Sequence, residues 1–377
     1  MRVALVCDWF LPRVGGIELH LRDLALALRR SGVDARVVTT TRGPDLVEGV
    51  PVHRVRAPLA PAGSFAFTPA ALRGLRDVLR SEQVDVVHAH ASVVSPLAYG
   101  GALAGARDGR ATLLTFHSML HRSAFLLGAS EALFHWATGR VVMTGVSSVV
   151  AAQAARWIPN AAVGVLPNGI DAEFWRPHHD APAGDGEIVF VSAMRLSRKK
   201  RPSRLLRAFA DASRFVAGAP AMRLVIGGDG PDRAALRRYA DELSIGARVE
   251  LIGHQSREAL RTLYARAHAF VLPSERESFG IAALEARTAG LPIIAMLASG
   301  VRDFVRQGSD GLLARDAAEL SRFIARLALD APLRDFMARH NRTTPPPYDW
   351  SDVAELHHHY YDAAMALRDS AARVSHR

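Results

Sequence analysis

Short apolar runs alternate along this chain with stretches in which apolar residues recur every third or fourth position. The runs Val3 to Cys7, Ala35 to Thr39, Val84 to His88, Thr112 to Thr115, Ile188 to Val191, Arg223 to Ile226, Val249 to Ile252, Ala269 to Leu272 and Pro292 to Ala295 predict strands. Several, such as Phe270-Val271-Leu272, lack polar alternation, as expected of strands buried on both faces of a parallel sheet. After Gly15-Gly16, the residues Ile17, Leu21, Leu24, Ala25 and Leu28 fall on one helical face, and Gly32 ends that pattern. The chain therefore opens as strand, glycine turn, helix, strand. Continued alternation predicts an α/β protein built from parallel sheets covered by helices.

A chain of 377 residues exceeds the size at which one core usually keeps growing. The segment Ala172 to Glu187 is rich in Pro, His, Asp and Gly, and a strand follows it at once, which makes it the best boundary. We expect a first domain over residues 1–172, a linker over 173–187, a second domain over 188–345, and a C-terminal piece, 346–377. That last piece follows Thr344-Pro345-Pro346-Pro347, reads as a helix over Asp352 to Arg368, and is expected to return to the first domain.

Composition narrows the function. Apolar residues make up 49% of the chain, enough to fill two cores. The single cysteine, Cys7, excludes an internal disulfide and a Cys-based zinc site, and fits a reducing, cytoplasmic setting. The small-residue run Ala91 to Ala106 is too short and too glycine-rich to span a bilayer, and Met1 to Leu11 reads as a first strand and not as a signal peptide. The net charge of +10 suits nucleic acid, an anionic membrane or a phosphorylated substrate. No nucleic-acid partner is expected, because the arginines are spread over most helices without an aromatic-laced stripe. A segment from His117 to Arg140, carrying Met119, Leu120, Phe125, Leu126, Leu127 and Phe134 among few acids, reads either as a buried helix or as a peripheral contact with the anionic inner face of a membrane. Of the 47 cationic residues only Lys199 and Lys200 are lysines, which suggests a compact ammonium wanted at one place.

That place follows a core strand. Arg195 and Lys200 lie between the strand Ile188 to Val191 and the helical Leu205 to Phe209, at the edge of a sheet where ligands gather, and a cation pair there suits a diphosphate. Glu277 and Glu285, in Glu-Ser-Phe-Gly-Ile-Ala-Ala-Leu-Glu, follow the strand Ala269 to Leu272 and open the helical pattern Gly280 to Ala289. On a helix, eight steps put them roughly 12 Å apart, too far to share a proton and suited to two ends of one extended ligand. The amides of Ser278, Phe279 and Gly280 would face its anionic part. Gly227-Gly228-Asp229-Gly230-Pro231 follows another strand, and its glycines either admit a ligand or simply turn tightly; Gly15-Gly16 carries the same ambiguity. His88, His90 and His117 end strands of the first domain, placed to bind sugar hydroxyls or to be satisfied inside the structure. No Asp-x-Asp occurs, so we expect chemistry without a metal.

Taken together these residues resemble the family 4 glycosyltransferases of the GT-B fold. The resemblance rests on Gly15-Gly16, Val84 to His90, Thr115-Phe116-His117-Ser118, Gly145-Val146-Ser147, Pro167-Asn168-Gly169-Ile170-Asp171, Arg195 with Lys200, Gly228 to Pro231, and Glu277 with Glu285. It implies two Rossmann-like, doubly wound domains facing a central cleft, and transfer of a sugar from a UDP- or GDP-sugar to a lipid, glycan or small polyol with retention of configuration. On these positions it implies that Glu277 and the following amides hold the donor sugar, Glu285 the ribose, Arg195 and Lys200 the diphosphate, with Gly228, Gly15 and Gly16 close to the donor and Gly16 approaching from the opposite domain. His117 would bind the transferred sugar, with His20, His88, His90 and Asn168 as acceptor-side candidates and no cofactor beyond the donor. The first half is most similar to enzymes that glycosylate phosphatidylinositol, of the GPI-anchor N-acetylglucosamine type, through Gly-Gly-Ile-Glu-Leu-His. Two departures stand out: Phe116, where those enzymes tend to carry Asp, and Ser299-Gly300-Val301-Arg302-Asp303 in place of Gly-Gly-x-Pro-Glu. Nucleotide-sugar epimerases or hydrolases, and non-catalytic binding proteins of this architecture, are the competing readings.

Overall fold

The computed structural model describes residues 1–13, 15–56, 69–120, 139–158, 161–177, 186–216 and 220–375. The chain forms two compact units, Met1–Gly169 with Tyr348–Arg377, and Ile170–Pro347.

The first unit is built on β1 (Arg2–Cys7), α1 (Gly16–Arg30), β2 (Asp34–Thr39), β3 (Leu46–Val47), β4 (Val50–Arg54), α2 (Pro69–Ser81), β5 (Val86–Ala91), α3 (Pro96–Arg107), β6 (Ala111–Phe116), β7 (Val142–Gly145), α4 (Ser148–Trp157) and β8 (Val163–Val165). Its sheet runs β3-β4-β2-β1-β5-β6-β7-β8, parallel except for the β3–β4 hairpin. Period-two packing is visible along β1. Val3, Leu5 and Cys7 join a core under α1, whereas Ala4 and Val6 join the core on the opposite face with Ala71, Leu75 and Leu97. α1 buries Leu21, Leu24, Ala25 and Leu28 fully, the face read from the sequence.

The second unit comprises α5 (Ala172–Trp175), β9 (Glu187–Ala193), α6 (Pro202–Phe215), β10 (Ala221–Gly227), α7 (Arg233–Glu242), β11 (Val249–Gly253), α8 (Arg257–Ala265), β12 (Ala269–Leu272), α9 (Ile281–Thr288), β13 (Ile293–Met296), β14 (Gly311–Ala314), α10 (Ala317–Leu329) and α11 (Ala331–Thr343). Its six strands run β11-β10-β9-β12-β13-β14, all parallel, the order of a doubly wound nucleotide-binding sheet. The start of the expected linker belongs to this unit: Trp175 of α5 is fully buried against Tyr264, ring centroids 5.7 Å apart. The helix α12 (Trp350–Ser375) belongs to the first unit, where Trp350, Val353, Tyr361 and Ala364 complete the core under α1.

Every strand read from the apolar runs is present. Those missed are short. β3 and β4 meet at Glu48-Gly49, both at positive φ (47° and 80°), the backbone of a tight primed turn reached without the usual Asn-Gly signal. β7, β8 and β14 span only three or four residues each, too few to show a period. Among the described residues no helix is long and apolar enough to cross a membrane. Of the proposed lipid-facing segment, Met119 and Leu120 are buried and residues 121–138 lie outside the described residues.

Candidate functional site

In the second unit the strand order reverses between β9 and β12, the place where such sheets hold ligands beyond their carboxyl ends. The two loops leaving these strands carry the charged residues singled out from the sequence. After β9 the chain makes a 3-10 turn, Arg198–Lys200, and Arg201 adopts a left-handed conformation (φ 58°) ahead of Pro202 at the first turn of α6. This corner sends Lys200 to the β12 loop, where its Nζ donates to Glu277 Oε2 at 2.6 Å. Beside it Arg204 donates to Glu275 Oε1, also at 2.6 Å, a second tie between the same segments. The Lys200 and Glu277 side chains are 32% and 13% exposed, so the cost of taking both charges out of water offsets much of their attraction. Stability alone gives little reason to hold them together.

The structure corrects the helical placement of Glu277. Pro273 to Gly280 is irregular and α9 starts only at Ile281, with Gly280 at φ 99° as its N-cap, so Glu277 lies ahead of the helix and Glu285 within it. Gly280 is demanded by packing, since a Cβ there would come 2.6 Å from Val301 Cγ2. Phe279 is buried with its ring 5.4 Å from Phe304, and Ser278 is half-buried. The Ser299 to Asp303 loop that departs from the family pattern still closes on this site: it forms a 3-10 turn whose Gly300 N–H donates to the Glu277 carbonyl at 2.8 Å. Glu285 is half-buried, and its charge adds to burial in raising the Tyr264 hydroxyl pKa well above its ordinary value. Arg195 is exposed at the exit of β9. Gly228 needs to be glycine for a backbone reason: at φ 131°, a Cβ would stand 1.9 Å from the Met194 carbonyl oxygen.

In the first unit the sequence-predicted histidines come together. His88 and His90 are two apart on β5, on the face that α12 covers, and His117 follows β6. His90 Nδ1 and His117 Nε2 share a hydrogen at 2.9 Å, and the His88 and His90 rings lie 3.9 Å apart. His88 bonds Tyr361 through Nδ1 (3.0 Å) and Thr115 through Nε2 (2.8 Å). His20 of α1 stands 5.3 Å from His117 and 5.4 Å from Trp350. Asn168 is buried with Oδ1 unbonded, next to Gly169, whose missing side chain makes room for Trp350. Gly15 caps α1 and is overlaid by the Glu18 carboxylate, while a Cβ on Gly16 would meet nothing within 4 Å.

Sequence reasoning missed His357, Trp350 and Tyr361, which reach this cluster only because α12 returns to the first unit. It also missed Asp8, at the end of β1, whose carboxylate accepts from the Leu97 and Ala98 amides at the start of α3. Burial raises Asp8 to about 6 against these bonds. Among the described residues no His, Cys, Asp or Glu side chains are grouped so as to hold a metal ion.

Burial dominates the histidine chemistry. It depresses His20, His88 and His90 well below their ordinary range, His117 to about 3 and His357 to about 4, with neighbouring rings adding to the effect. At neutral pH each ring is therefore uncharged, with a hydrogen on one nitrogen only. Unfolded histidines take a proton near pH 6.5, so below that the unfolded chain binds more protons than the folded one. Stability of the first unit, complete above pH 6.5, is expected to fall as pH drops toward 4, each buried ring adding to the fall. Asp8 opposes this as a single group between about pH 6 and 4, because its raised carboxyl takes a proton first in the folded state. Denaturant melts across pH 7 to 4.5, read by amide exchange in β5 and β6, check this; a flat profile would mean that the rings do not stay buried and neutral.

Comparison with known proteins places this geometry in context. Residues 14–174 match Glycosyltransferase Family 4, and residues 173–344 match Glycosyl transferases group 1. The chain is 32% identical to the GDP-mannose-dependent alpha-mannosyltransferase of Mycobacterium tuberculosis over 83% of this chain and 83% of that one. It is 26% identical to a phosphatidylinositol N-acetylglucosaminyltransferase component from Arabidopsis thaliana over 97% of this chain and 82% of that one. The fold is similar to that of Anabaena HepE in a crystal with UDP and glucose, with a TM-score of 0.76 at 19% identity over 96% of this chain and 100% of that chain.

Proposed function

This chain belongs to glycosyltransferase family 4 and has the GT-B fold, and from that premise we propose that it transfers a sugar from a nucleoside diphosphate sugar to an acceptor hydroxyl with retention of configuration. The Lys200–Glu277 pair at the reversal of the second sheet carries this reading. Lys200 and Arg195 hold the diphosphate and offset the charge that grows on it as the bond to the sugar anomeric carbon breaks. Glu277 accepts hydroxyls of the donor sugar, Glu285 accepts the ribose hydroxyls, and neutral His117 binds the transferred sugar. The acceptor oxygen bonds to the anomeric carbon on the face the phosphate leaves, and its proton passes to the departing phosphate oxygen. No cofactor and no metal ion takes part in the step.

Both a UDP- and a GDP-sugar fit this grip, since the charges that hold the diphosphate ignore the base. The mannosyltransferase relative supports a GDP-sugar and the fold of HepE supports a UDP-sugar. The phosphatidylinositol-acting relative supports a lipid-borne polyol among the lipid, glycan and polyol acceptors. Binding and slow hydrolysis of UDP-, GDP- and ADP-sugars, measured with EDTA present, test the reading; failure of every donor to bind sinks it. In the same assay Lys200→Ala is expected to weaken donor binding about 10- to 100-fold, the worth of a charge-assisted bond to phosphate, and Lys199→Ala less than about 3-fold. Equal effects would reduce the two lysines to a basic surface.

A further inference from the structure

Two of the residues expected on the acceptor side, His88 and His90, present no ring nitrogen to a ligand. His88 is fully buried with both nitrogens bonded, Nδ1 to the Tyr361 hydroxyl at 3.0 Å and Nε2 to Thr115 Oγ1 at 2.8 Å. Thr115 is held in turn by Thr144 Oγ1 at 2.7 Å. His90 is 2% exposed; its Nε2 is buried without a partner, and its Nδ1 is joined to His117 Nε2 at 2.9 Å. His117, at 7%, is the most open of the three rings. Because His90 takes its Nε2, only Nδ1 of that ring is left to meet a sugar.

Three contacts hold the His117 ring in place. Its backbone N–H donates to the Ala91 carbonyl at 2.8 Å, one residue beyond His90, and His90 Nδ1 engages its Nε2. The His88 ring, anchored at both nitrogens, lies 3.9 Å from the His90 ring and keeps it from turning away. Folding alone gives poor reason for histidine at 90, since its buried unbonded nitrogen costs about 1–3 kcal/mol that an apolar ring would avoid. The bond does have a consequence for His117: in a neutral ring, the partner of one nitrogen decides which nitrogen carries the hydrogen. We propose that His90 is a positioning residue for sugar transfer, one that never touches the sugar and acts by holding the His117 ring with Nδ1 toward it, in a single tautomer. This rests on the reading of His117 as the group that binds the transferred sugar.

Nuclear magnetic resonance of the full chain with isotope-labelled imidazole nitrogens tests the geometry. A scalar coupling between His90 Nδ1 and His117 Nε2, carried by the hydrogen bond, and a single His117 tautomer are expected. Hydrolysis of UDP- and GDP-sugars tests the role. His90→Phe, which keeps a ring against His88 and removes the nitrogens, should lower kcat/KM by about tenfold or more in a folded chain. His90→Asn, whose amide reaches the place of Nδ1, should recover most of that loss. In a His117→Ala background, His90→Phe should change kcat/KM by less than about twofold, because the two residues act as one unit. His90→Leu carries the test if His90→Phe does not fold. Parental hydrolysis in His117→Ala would overturn the sugar-binding reading and the proposal with it. The proposal alone falls, and that reading stands, on any of four results: no coupling in the unsubstituted chain, parental kcat/KM in the folded variants without a nitrogen at 90, no recovery with Asn, or a His90→Phe loss that persists in full without His117.

Discussion

Glu277→Gln is expected to lower kcat/KM for sugar transfer by about 10²- to 10³-fold while changing folding stability by less than about 1 kcal/mol. The substitution keeps the shape of the side chain and removes one charge. Lys200 Nζ, 2.6 Å from Glu277 Oε2, then loses the carboxylate that orients it toward the proposed diphosphate. A sugar hydroxyl would meet an amide in place of a charge-assisted acceptor, which is roughly half as strong. The loss should fall mainly on kcat if the carboxylate acts on the sugar as charge develops, and on KM if it acts equally on bound donor and transition state. Steady-state kinetics alongside denaturant melts separate the two quantities. Parental kcat/KM in this variant would remove Glu277 from the reacting sugar and leave the ion pair as a surface tie.

Gly228→Ala is expected to destabilise the second unit by about 3 kcal/mol or more and to weaken donor binding as a consequence. Two penalties combine. The residue sits at φ 131°, which side chains avoid, and the new methyl would stand 1.9 Å from the Met194 carbonyl oxygen. Neither side can yield easily, because Gly228 N–H donates to the Gly253 carbonyl at 2.6 Å and Met194 N–H to the Gly227 carbonyl at 3.0 Å. Any shift propagates to the proposed diphosphate loop through the bond from Leu196 N–H to the Asp229 carbonyl, 2.9 Å. Amide exchange in β9 and β10 reads the destabilisation unit by unit, which a single melting curve for a two-unit chain does not. Gly16→Ala is the contrast: its added methyl meets nothing within 4 Å, so stability should change by less than about 1 kcal/mol. If Gly228→Ala leaves exchange unchanged, the close approach to Met194 is not the reason for glycine there.

Much of this was legible in the sequence by itself. The apolar runs gave the long strands, because a strand buried on both faces has no other way to be written. The spacing of Leu21, Leu24 and Leu28 gave α1 and its buried face. The placement of Lys200 and Glu277 just after core strands put both at the carboxyl edge of the second sheet, since parallel strands all end at the same edge. His88 and His90, two apart on one strand, had to share a face.

Tertiary structure decided what those residues meet. Lys200 and Glu277 are 77 positions apart, and only the adjacency of β9 and β12 makes them a pair. Spacing along the chain suggested a helix under both glutamates, whereas the left-handed backbone of Gly280 (φ 99°) lets α9 begin only at Ile281. The histidine cluster is completed by Trp350, His357 and Tyr361 from a helix that returns from the far end of the chain, which no local period announces. Its uncharged state depends on burial, and burial is a property of the packed fold that residue identity does not carry. The glycine at 228 shows the same division: the sequence displayed a flexible turn, and only the position of the Met194 carbonyl gave the reason for it.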